Sequence, residues 1–86
     1  MKVIIAKIEY YFEKKPDSRT LLPKEAETVE NWKKQGWVEH LFVQSNGCAI
    51  IVFKNVDEAK ARELTATLPL FSYFQGIDYT EMDKRY

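Results

Sequence analysis

The chain has 86 residues with 13 basic and 13 acidic side chains. The signs cancel and no long block of either appears, which argues against nonspecific nucleic-acid binding and against an anionic membrane surface. A chain this short allows one domain, 1–86, with a small core, yet it carries two Trp, five Tyr and five Phe; a partner subunit or a ligand is expected to hide part of that apolar surface.

Residues 2–12 are rich in β-branched and aromatic side chains and alternate as a strand does. Ile4, Ala6, Ile8, Tyr10 and Phe12 form one apolar face, expected under helices. Val3, Ile5, Lys7, Glu9 and Tyr11 form a mixed face. The opening run, Lys2 to Lys7, is too short for a signal peptide. No stretch approaches the ~20 apolar residues of a membrane span. A cytoplasmic location is expected.

Residues 13–20 contain Pro16, Asp17 and Ser18 and read as a loop, either a solvated connection or a cover for a pocket. A helix follows. Pro23 suits its first turn, Glu25 and Glu27 its positive end, and Lys33 and Lys34 its negative end; Gly36 stops it. Ala26, Val29 and Trp32 or Lys33 form its inward stripe.

Trp37 to Ser45 alternates again. Trp37, Glu39, Leu41 and Val43 oppose Val38, His40, Phe42 and Gln44. Asn46-Gly47 is a strong hairpin signal, and Cys48 to Phe53 is a continuous apolar run suited to a central strand. Asp57 can open a second helix; Val56 to Thr67 contains Ala59, Ala61, Leu64 and Ala66, and Pro69 ends it. Tyr73 to Met82 reads as a fourth strand, with Gly76 marking a bulge. The order strand, helix, strand, strand, helix, strand predicts an α+β fold, the ferredoxin-like βαββαβ. Its four-stranded antiparallel sheet has two helices on one face. The other face should pair with a second copy to make a dimeric α+β barrel.

The residues resemble the muconolactone isomerase family. Gly36 is followed by His40-Leu41-Phe42, similar to that family's glycine, then His-Leu-aromatic. Val52-Phe53 is similar to its Val-Phe pair. Glu58-Ala59, or Ala61-Arg62-Glu63-Leu64, resembles the start of its second helix. Leu68-Pro69-Leu70-Phe71-Ser72-Tyr73 is similar to its Leu-Pro-Leu-Phe-Pro-Tyr. Lys7 matches a lysine there. Three departures stand beside these matches: Ser72 for a proline, Glu39 for a basic residue, and Asn46-Gly47-Cys48 where that family has a histidine. The resemblance implies a dimeric α+β barrel. It also implies an isomerase that moves a proton next to a carbonyl, without a cofactor, on a lactone-like substrate.

Candidate site residues follow from chemistry as well as resemblance. Lys7 and Glu9 share a face, so Glu9 can serve as general base and Lys7 as anchor for an enolate or carboxylate. The alternative is an ion pair at the sheet's wet rim. His40, the only histidine, suits proton transfer near neutrality; otherwise it is a hydrogen-bonded packing residue. Tyr11, Trp37, Phe42 and Tyr73 are candidates for a substrate wall, with Tyr10, Tyr79 and Trp32 behind them; packing is the alternative for each. Cys48 reads as a small hydrophobe. No metal-ligand, phosphate-loop or dinucleotide motif is present. Other functions open to the same fold are a cofactor-free monooxygenase, a haem protein with His40 as axial ligand, and a non-catalytic oligomer.

Overall fold

The computed structural model describes residues 2–9, 22–44, 48–69, 71 and 74–85. Within them lie β1 (Lys2–Glu9), α1 (Leu22–Lys34), β2 (Val38–Val43), β3 (Ala49–Lys54), α2 (Glu58–Ala66) and β4 (Gly76–Asp83). The strands make one antiparallel sheet in the order β2-β3-β1-β4. This is the ferredoxin-like α+β fold that the order of elements predicts. No helix among the described residues is long and apolar enough to cross a membrane.

Alternation along β1 builds the core. Ile4, Ala6 and Ile8 are buried on the face that also receives Ile51 and Phe53 of β3 and Val38 of β2. Val29 and Trp32 of α1 and Ala61 and Leu64 of α2 close over them. Phe53 lies fully buried at the centre, its ring 5.7 Å from that of Trp32. The second helix is tied to β4 by polar contacts as well. The hydroxyls of Thr65 and Tyr79 hydrogen-bond, and the Arg62 guanidinium lies 4.3 Å from the Tyr79 ring centroid.

Helix ends follow local chemistry. The Asp57 side chain accepts from the Lys60 N–H at 2.8 Å and caps α2. At the far end of α1 the Gly36 N–H donates to the Lys33 carbonyl and the Trp37 N–H to the Trp32 carbonyl, both at 3.0 Å. This pattern needs a left-handed residue, and Gly36 supplies it with φ +83°. Asn55 takes φ 61° and donates from Nδ2 to the Gly36 carbonyl at 3.0 Å. Two tight turns thus brace each other beneath Trp37.

Some expectations need correction. Ala26 is exposed, so Val29 and Trp32 carry the inward stripe of α1; on α2 Thr65 joins Ala61 and Leu64 inside, its hydroxyl satisfied by Arg62 and Tyr79. The bulge falls between Val38 and His40, not at Gly76, whose register opposite Glu9 is regular. Val38 and His40 therefore point to opposite faces despite their spacing of two. The expected loop at 13–20, strand residues 10–12 and the Asn46-Gly47 turn lie outside the described residues.

Candidate functional site

The face of the sheet away from the helices is assembled by register alone. Residues directly opposite in an antiparallel pair share a face. One row across it is Phe42–Ile50–Lys7–Asp78, the next is His40–Val52–Ile5–Thr80, and a third runs Lys54–Val3–Met82. Phe42 and Met82 are largely exposed and Ile50 partly so. The face thus carries an apolar centre, Ile5, Ile50 and Val52, with polar groups at its sides.

Lys7 and Glu9 are exposed neighbours on this face, as alternation predicts. Register adds a residue that sequence reasoning missed: Asp78 stands opposite Lys7 on β4. Among the described residues Lys7 makes no ion pair with it. An open concavity of about 310 Å³ is lined by Lys7, Phe42, Gln44, Cys48 and Ile50. It combines one ammonium group with apolar walls.

His40 is on the same face but belongs to a separate group. From strand and residue spacing its Cα is ~12 Å from that of Lys7 and ~17 Å from that of Glu9. Its ring lies 5.9 Å from Phe42, and its Nε2 is 3.9 Å from Glu39 Oε1. Within the chain, Lys7, Glu9 and Asp78 cluster together and His40 does not join them.

Glu39 is the hub of that second group. It accepts from Lys84 at 2.9 Å and pairs with Lys54 at 3.5 Å. The Lys84 hydrogen bond, followed by the Lys54 charge, outweighs partial desolvation and holds its carboxyl below the usual carboxylate range. Glu39 belongs to β2 and Lys84 follows β4, at opposite edges of the sheet. The Lys84 side chain therefore reaches across the sheet, on the side of Lys54, Val3 and Met82, to meet Glu39. Val3, on that side, is only 4% exposed although no helix among the described residues covers it. Charge balance in the sequence hides this network, because its members are 45 and 15 residues from Glu39.

The aromatic candidates divide. Phe42 stands on the open face. Trp37 packs against the core on the helix side, with the Lys60 ammonium 5.2 Å from its ring centroid. Trp32 is a core residue, and Tyr79 is occupied by Thr65 and Arg62. Tyr10, Tyr11 and Tyr73 lie outside the described residues. No group of three or more His, Cys, Asp or Glu among the described residues is placed to hold a metal ion. Compared with known proteins, the chain matches no protein-family model and no curated protein.

Proposed function

We propose that two copies of this chain pair their open faces as a dimeric α+β barrel and hold between them a small molecule with an apolar body and a carbonyl or carboxylate oxygen. The observation that carries this is the row Phe42–Ile50–Lys7–Asp78, in which an apolar strip ends on an ammonium group and a carboxylate. Covering that strip with a second sheet removes water from Lys7, and a desolvated cation requires an anion or a strong acceptor. A ligand oxygen and the facing Asp78 both meet that need.

The chemistry that fits is cofactor-free isomerisation by proton transfer next to the carbonyl, with a lactone-like substrate. Lys7 faces the developing oxyanion. Glu9, one strand repeat away, takes the proton. His40 lies too far from Glu9 in the same subunit to share that proton and contributes at the Phe42 side. The resemblance to muconolactone isomerases agrees with this chemistry.

The test is deuterium exchange at the carbon next to the carbonyl in a panel of lactones, followed by NMR, for the wild type, Lys7→Ala and Glu9→Gln. The wild type is expected to catalyse exchange, and each substitution to slow it about 100-fold or more. Ligand binding without exchange would leave a non-catalytic binding protein. The absence of both binding and exchange would overturn the proposal.

A further inference from the structure

Lys7 stands on the open face between two different surroundings. Toward β4 there are acids. Asp78 faces Lys7 in register, and Glu9 follows Lys7 on the same face of β1. Opposite Glu9 is Gly76, and Glu9 Oε2 lies 4.0 Å from where a side chain at Gly76 would begin. The absent side chain leaves the carboxylate room over β4. Toward β3 and β2 lies the concavity of about 310 Å³ with Ile50, Cys48, Phe42 and Gln44 in its lining. The Gln44 N–H donates to the Cys48 carbonyl at 2.7 Å, which carries the pairing of β2 with β3 into this corner. Among the described residues that line the concavity, Lys7 is the one charged group.

Charge decides which oxygen Lys7 meets. One ammonium stands beside two carboxylates, so the head of the site holds more acid than base. Lys54 and Lys84 are engaged with Glu39. His40 is ~12 Å from Lys7 between Cα atoms, beyond the screening length of about 8 Å at physiological salt. A carboxylate bound at Lys7 would be a third anion in one place, and like charges oppose each other there. A carbonyl oxygen accepts a hydrogen bond from the ammonium and adds no charge. From Lys7 the apolar strip runs over Ile50 to Phe42, two strand spacings or roughly 10 Å. No described residue lining its β2 end supplies a cation.

We propose that the ligand is an uncharged carbonyl compound, its oxygen at Lys7 and its apolar body over Ile50 toward Phe42, and that a carboxylate at either end is rejected. This rests on Lys7 as the group that receives a ligand oxygen between paired faces. A facing copy leaves the balance unchanged at this position, since its own Lys7 arrives with its own Glu9 and Asp78. The carbon that loses a proton then lies at the head of the ligand beside Glu9, and the body extends away from it. Asp78 sets specificity by balancing Lys7 for a neutral head and repelling an anionic one.

Isothermal titration calorimetry on the assembled protein tests this with three probes: γ-lactones with alkyl tails of increasing length, a γ-lactone whose tail ends in a carboxylate, and an alkanoate of matching length. Affinity for the neutral lactones should rise about threefold to fourfold per methylene. Both carboxylate probes should bind about 10-fold or more weaker than their neutral match, and Asp78→Asn, at an exposed position, should narrow that gap for the alkanoate. A carboxylate probe that binds as tightly as its neutral match would overturn the proposal and leave Lys7 as an oxygen-binding group. So would an affinity independent of tail length, or a gap that Asp78→Asn does not change. Absence of binding by every probe would overturn it together with the reading it rests on.

Discussion

The two faces of the sheet are made from the same four strands, yet among the described residues helices cover only one. On the helix side Ile4, Ala6, Ile8, Ile51 and Phe53 are buried beneath α1 and α2. On the other side Phe42, Ile50 and Met82 remain exposed beside Lys7, Glu9 and Asp78. The first face explains why the subunit folds. The second has the composition of a surface that another molecule covers. Apolar content by itself does not separate them; what differs is whether the chain supplies a helix above.

The largest expected effect tests that contrast directly. Phe53→Ala should cost about 3–5 kcal/mol in folding stability by denaturant titration, because it removes a fully buried ring and leaves a cavity. Phe42→Ala should change the stability of the dissociated subunit by less than about 0.5 kcal/mol, while weakening association. Comparable losses for the two at high dilution would show that the faces do not differ as described.

Gly36→Ala comes next. The space around Gly36 is open, so the cost is backbone strain at positive φ, about 1–2 kcal/mol. Thermal unfolding measures it. A loss confined to the helix side, with association unchanged, would sharpen the division, since this turn braces α1 and Asn55 rather than the open face.

The smallest effect concerns the strap across the open face. Glu39 has a lowered carboxyl pKa in the folded chain, chiefly through its hydrogen bond from Lys84. A depressed carboxylate adds stability that is fully present above the ordinary value of 4.5 and is lost as pH falls through the folded value. Lys84→Ala should raise the Glu39 pKa toward 4.5 and flatten the acid limb of the stability profile below it. NMR titration of the Glu39 side chain reads this, and an unmoved pKa would show that the Lys84–Glu39 contact does not persist in solution.

Much of this was legible in the residues. Alternation in 2–9 set which side chains of β1 meet the helices, and Pro23, Gly36 and Asp57 marked helix ends through local backbone chemistry. Lys7 and Glu9 were legible as neighbours on the uncovered face, whereas the face of Phe42 was not, since alternation grouped it with the buried Val38. Asp78 was not, because only register brings it opposite Lys7. The place of Trp37 and the separation of His40 from Glu9 were hidden too. One extra residue at Glu39 reverses the alternation between Val38 and His40, and spacing cannot reveal it.

The sequence by itself determined the elements, their order and the existence of a second face of mixed apolar and charged residues, because periodicity and turn chemistry act over a few residues. Only the tertiary structure decided the rows Phe42–Ile50–Lys7–Asp78 and His40–Val52–Ile5–Thr80, the strap from Lys84 to Glu39 and the exposed edge of β2. Those depend on pairings between residues far apart in the chain, where one bulge or one shifted partner turns a side chain to the other face.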